Sequence, residues 1–220
     1  MKSKIYYFEE NKPENTDILL DLVKEKALEK GIKYVVVAST RGETGVKTAK
    51  AFKDSGITVV VVTHQVGPRG PDLLEENETK MKALGAKIVT STHAFGGIGD
   101  SLRRRGQRPQ GQRPQGQRPQ QSSMPAYIPP IGRLISSVLG IFGPGMKVCF
   151  EITPMAADAG AIPYGENVIA VAGQHRGADT AIIIKSAGTN SFFNMDVSEI
   201  IAKPIQKRLR RPGSPPGPPN

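Results

Sequence analysis

Apolar positions along the chain alternate between two periods, and that alternation sets the expected architecture. Residues 4–8 read as a first strand; Asn15 or Thr16 then offers a helix cap, and Ile18, Leu19, Leu22, Val23, Ala27 and Leu28 follow at helical spacing up to Gly31. Residues 34–38 are an unbroken apolar run, as in a strand covered on both faces. Val46, Ala49 and Phe52 mark the inner face of a helix over 45–55, and residues 58–62 supply another fully apolar strand. A helix over 75–84 and a strand over 86–90 complete a βαβαβαβ series with short connections. Such a series predicts an α/β fold, a three-layer sandwich with a mostly parallel sheet and helices on both faces.

The pattern breaks over 104–128 and then resumes. Residues 106–120 are three copies of Gly-Gln-Arg-Pro-Gln, and this proline-rich stretch has no face to bury, so it reads as a disordered insertion. Beyond it, Leu134, Ile135, Val138, Leu139 and Phe142 predict a helix over 131–142. Val148, Ile152, Met155, Ala156 and Ala159 predict a second over 147–159, ended by Gly160. Strands follow at 168–172 and 180–184, and 192–201 reads as a closing strand or a short helix. One domain over 1–204, interrupted by the insertion, is therefore expected, with a basic, proline-rich tail over 205–220.

Charge refines this picture. The chain of 220 residues carries a net charge of +10, but Arg103, Arg104, Arg105, Arg108, Arg113 and Arg118 lie in or beside the insertion, and Lys203, Lys207, Arg208, Arg210 and Arg211 in or beside the tail. Setting these aside leaves 19 basic residues against 20 acidic ones. Nucleic-acid binding is thus expected only through the two appendages, and non-specifically, because Tyr127 is the sole stacking aromatic there. No apolar run is long enough for a membrane span, which points to a soluble, cytoplasmic protein without a membrane partner. A homo-oligomer is compatible with the pattern.

In open α/β sheets, ligands bind at the carboxyl ends of the strands. The first such loop, Ser39-Thr40-Arg41-Gly42-Glu43-Thr44-Gly45, offers three hydroxyls, two glycines and free amides at a helix start, where the helix dipole favours an anion. It lacks the Gly-Lys-Ser/Thr ending of a Walker loop and is not a GxGxxG turn. Either it cradles a phosphate, or Ser39 and Thr44 only cap the helix. At the next strand ends stand Thr63 and His64, then His93 before a glycine-rich run, then His175, Arg176, Asp179 and Thr180. The three histidines have no HExxH or CxxC companion, so no metal site is expected. Cys149 reads as a small buried hydrophobe. Glu151 and Asp158, two helical turns apart, share a face without a visible partner.

The stretches Tyr34–Gly45, Val60–His64, Gly85–Val89, Lys147–Pro163 and Gly177–Ala181 closely resemble the small stand-alone proteins related to the pyruvate kinase C-terminal domain. The Lys-Val-Cys-x-Glu-Ile…Met-Ala-x-Asp-x-Gly-x-Ile-Pro block, Lys147 to Pro163, is its most specific part. The resemblance covers about 4–103 and 131–204. It implies the pyruvate kinase C-terminal fold and a phosphorylated small molecule as ligand, with flavin mononucleotide (FMN) as cofactor. By that likeness Ser39, Thr40, Arg41, Gly42, Thr44 and Gly45 would take the phosphate. Thr63, His64, His93 and Met155 would line the ring or ribityl side, and Arg176, Asp179 and Thr180 the remaining rim. Nothing matches the catalytic barrel of pyruvate kinase, so its phosphotransfer is not implied, and whether the protein is an enzyme stays open. A non-catalytic module sensing a sugar phosphate or nucleotide is the alternative.

Overall fold

A computed structural model describes residues 3–10, 12–68, 70–97, 130–174 and 176–205. The expected insertion and most of the tail lie outside these residues, as does His175. Strands β1 (Tyr6–Phe8), β2 (Tyr34–Ala38), β3 (Thr58–His64), β4 (Lys87–Ser91), β5 (Asn167–Ala172), β6 (Thr180–Lys185) and β7 (Asp196–Pro204) form one sheet in the order β1-β7-β6-β5-β2-β3-β4. Strand β6 runs antiparallel to both neighbours, and every other pairing is parallel. The protein is thus an α/β fold with a seven-stranded, mostly parallel sheet.

Helices α1 (Asn15–Lys30), α2 (Glu43–Ala51) and α3 (Glu75–Ala83) cover one face, while α5 (Pro144–Asp158) covers the other; α4 (Ile131–Leu139) precedes α5. Alternate residues of the central strands serve the two layers, because successive strand side chains point to opposite faces. Val35, Val37, Val59 and Val61 pack with Leu19, Val23, Phe52 and Met81. On the opposite face Val36, Val60 and Val62 pack with Cys149, Ile152, Met155 and Ala156. Double coverage explains the unbroken apolar runs in sequence.

Several boundaries differ from expectation for identifiable reasons. Helix α1 is not capped by Asn15 or Thr16; its N-cap is Glu14, and Thr16 Oγ1 instead accepts the Ala178 N–H at 2.9 Å, pinning the loop before β6 to the helix start. Helix α2 ends at Ala51 and not near residue 55, because Asp54 and Gly56 adopt positive φ values of 59° and 74° in the turn toward β3. The helix expected over 131–142 tightens into a 3-10 turn at Gly140–Phe142. Residues 189–201 hold both alternatives, a 3-10 segment at Thr189–Asn194 followed by β7. No helix among the described residues is long and apolar enough to cross a membrane.

Candidate functional site

Four connections leave the sheet at the carboxyl ends of the central strands: those following β2, β3 and β4, and the one joining β5 to β6. Helix α5 begins beside them, since a Cβ on Gly145 would collide with the Thr180 side chain and come within 3.0 Å of Asp179 Oδ1.

The loop from β2 to α2 is built by its own polar groups. Gly42 is the N-cap of α2 at φ 98°, a conformation that favours glycine, and any Cβ there would meet Asn77 Cβ at 2.6 Å. Ser39 is buried, and its Oγ accepts the Gly45 N–H at 3.0 Å. Asn77 Nδ2 donates to the Arg41 carbonyl at 2.9 Å, and Thr63 Oγ1 donates to the Thr40 carbonyl at 3.0 Å. Two of the loop's carbonyls are thus fastened by side chains. The N–H groups from Thr40 to Thr44 find no acceptor among the described residues, and the Val46 N–H is the first to return to the helical pattern, donating to Gly42 O. The capping alternative is resolved in part: Ser39 satisfies one first-turn amide, while Thr44 makes no cap. Arg41 is 61% exposed, and its nearest acid, Glu43, lies 3.9 Å away.

A second cluster lies one residue beyond Thr63. His64, at the end of β3, and His93, two residues after β4, face each other with ring centroids 4.4 Å apart. Each is backed by a carboxylate: His64 Nδ1 lies 3.5 Å from Asp72 Oδ2, and His93 Nδ1 lies 3.2 Å from Glu151 Oε1. Lys147, one turn earlier on α5, donates to Glu151 Oε2 at 2.9 Å. Glu151 is 5% exposed. Burial by itself would raise its pKa, but the hydrogen bond from His93 and the nearby Lys147 charge outweigh that and hold it at about 2. For His64, burial and then the neighbouring His93 push the pKa below the ordinary histidine value, against the opposing pull of Asp72.

The remaining expected residues are placed differently. Met155 is 4% exposed inside the core under the sheet, so it is packing and not a wall of the ligand site. Thr63 is buried and its hydroxyl is committed to the loop. Asp179 and Thr180 are buried and bonded to each other at 2.7 Å, while Arg176 is exposed on the preceding turn. The cleft that Asp179 and Thr180 help line, with Gly143, Pro144 and Gln174, measures about 60 Å³. That is well below the volume of roughly 300 Å³ or more that small-molecule pockets occupy, so it does not accept a flavin ring. Cys149 is fully buried beside the Ala170 carbonyl, and burial pushes its thiol pKa up, which makes it inert.

Sequence reasoning missed Asp72, Asn77 and Lys147, and left Glu151 without a partner. The Lys147–Glu151 pair was available from its i,i+4 spacing on α5. Asp158, on the same helix, braces the far end of the domain by accepting bonds from Tyr164 and Thr189. Among the described residues no group of three or more His, Cys, Asp or Glu could hold a metal ion.

No protein-family model matches the chain. Among solved structures it is similar to an O-ureido-L-serine synthase, at 24% identity and a TM-score of 0.29, over 40% of this chain and 27% of that one. It is also similar to a pyruvate kinase from Cryptosporidium parvum, at 12% identity and a TM-score of 0.35, over 78% of this chain and 23% of that one. The chain thus spans about a quarter of the length of the structures it matches.

Proposed function

We propose that the protein binds a phosphorylated small molecule, FMN foremost, with its phosphate on the loop from Ser39 to Gly45. The observation that carries this reading is the run of amides from Thr40 to Thr44, at the start of α2, that find no acceptor among the described residues. Such amides, added to the helix dipole, stabilise a phosphate through charge-assisted hydrogen bonds. The residues present fit that group. Thr40 is exposed and Thr44 half-buried beside the amides, and the Arg41 guanidinium is free enough of Glu43 to swing onto an anion. Gly42 keeps the turn tight at a φ few other residues adopt.

The sequence likeness to stand-alone relatives of the pyruvate kinase C-terminal domain supports FMN as the ligand. Such a flavin would bring electron transfer as its own chemistry. The chain's residues would bind and orient it: the loop at the phosphate, His64 and His93 toward the ring or ribityl side, and Arg176 from the neighbouring turn. Thr63, Asn77 and Ser39 hold the loop in shape.

The test is retention. Purified protein mixed with FMN and passed through gel filtration is expected to keep the visible flavin absorbance bands. A colourless protein that still shows phosphate-induced shifts in the loop amides would replace FMN with the sensing of another phosphorylated metabolite.

A further inference from the structure

We propose that His64 and His93 form a proton-exchanging pair directed at the ligand, so that this ligand carries, besides its phosphate, a hydrogen-bonding heteroatom such as a ring nitrogen or carbonyl oxygen. This rests on the phosphate-loop reading above and adds to it a role for the imidazoles. Three observations carry it.

First, both imidazoles are held at the same atom. Nδ1 of His64 faces Asp72 and Nδ1 of His93 faces Glu151, so a neutral ring that donates to its carboxylate carries its proton on Nδ1 and its lone pair on Nε2. A carboxylate that fixes one nitrogen of an imidazole leaves the other prepared to accept or give a proton. Second, the rings are neither buried nor free: each is 31% exposed, whereas Glu151 behind His93 is 5% exposed. The second imidazole stands 4.4 Å away, so a proton gained by one ring is felt by the other. Third, the pair and the loop share one end of the sheet. Thr63, immediately before His64, donates to Thr40, and β3 lies beside both β2 and β4.

The groups facing the pair are Asp72 from the segment after β3, Glu151 and Lys147 from α5, and each histidine from its own strand end. Lys147 is bound to the far oxygen of Glu151, so it steadies that carboxylate while the near oxygen is left to His93. Asp72 and Glu151 are positioning residues, and His64 and His93 are the groups that would touch the ligand. The exchange is a simple proton transfer: an imidazolium Nε2–H gives its proton to the ligand heteroatom and becomes the neutral ring, or the reverse. It requires no oxidant or reductant.

Long-range nitrogen–proton NMR of the imidazoles in the full chain tests this, with inorganic phosphate and FMN as probes. In the free protein the proton of each ring, where that ring is neutral, is expected on Nδ1. Inorganic phosphate is expected to shift the amides of residues 40–44 and leave both Nε2 signals in place, whereas FMN shifts both sets. Three outcomes would overturn the proposal: the opposite tautomer at both rings, FMN shifting the loop amides with Nε2 unmoved, or inorganic phosphate alone moving Nε2. If FMN moves neither set, the ligand reading falls and takes the proton-exchange role with it. The Glu151→Gln variant supplies a second measurement. It is expected to keep the loop-amide shifts with FMN while changing the His93 signals, and unchanged His93 signals would show that Glu151 does not set that ring.

Discussion

Glu151→Ala is expected to destabilise the protein by about 3 kcal/mol, near the lower end of what removing one partner of a buried ion pair costs. Glu151 is 5% exposed and is the shared acceptor of His93 and Lys147. The variant leaves the His93 imidazole and the Lys147 ammonium facing an empty, partly buried space. Their own partial exposure, 31% and 26%, lets water relieve some of that penalty, which places the effect at the lower end. Glu151→Gln, which keeps the volume and an acceptor oxygen, is expected to cost less. The acid profile follows from the same geometry. A carboxyl held at about 2 in the folded protein contributes stability that is fully present above its unfolded value and is lost as pH falls through the folded one. The window therefore runs from roughly 4.3 down to about 2. His64, whose pKa is depressed, adds a contribution of the same sign that begins to fade below roughly 6.5. Urea unfolding across this range is expected to show a flatter acid limb for Glu151→Gln than for the native chain. Identical limbs would contradict the ion pair.

Gly45→Val is expected to be at least as damaging, for a steric reason. A Cβ at Gly45 would collide with the Met81 sulfur and stand 2.9 Å from Val61 Cγ1. Both neighbours are fully buried, so neither has space to retreat into. Overpacking a dense core by even a methyl group costs about 1–3 kcal/mol, and valine adds two more carbons. The displacement also reaches the site, because the Gly45 amide is the donor that Ser39 accepts. Lost thermal stability and weakened FMN binding are therefore expected together. Gly140→Ala is the control. Gly140 has helical dihedrals and nothing within 4 Å of the added carbon, so it is expected to gain about 0.5–1 kcal/mol. Equal stability of the Gly45 and Gly140 variants would show that α2 does not press on β3 as described.

The fold was legible where local pattern and burial agree. Residues 34–38 and 58–62 read as doubly covered strands because their valines alternate between two real cores. The reversal of β6 was less visible, although the sequence carries the signal: only residues 173–179 separate β5 from β6, and a parallel crossover needs roughly a dozen or more. Met155 illustrates a misreading that the pattern itself could have prevented, since Ile152, Met155 and Ala156 already marked the inner face of α5. The loop from Ser39 to Gly45 stood out as a candidate because composition and position coincide there. The His93–Glu151 contact did not, because it joins a loop after β4 to a helix beyond the insertion, and no periodicity links residues so far apart in the chain. Thr16 resembled a cap for a related reason: its hydroxyl serves a backbone amide, but that of Ala178 and not one of its own helix.

The most direct test of the central claim compares FMN with riboflavin, which shares the ring and ribityl chain and lacks the phosphate. Fluorescence titration of the native chain is expected to give FMN the lower Kd by at least about tenfold, or ~1.4 kcal/mol, since charge-assisted hydrogen bonds to the loop amides each contribute roughly that much or more. Equal affinities would place the phosphate away from the loop between Ser39 and Gly45, and would contradict the account.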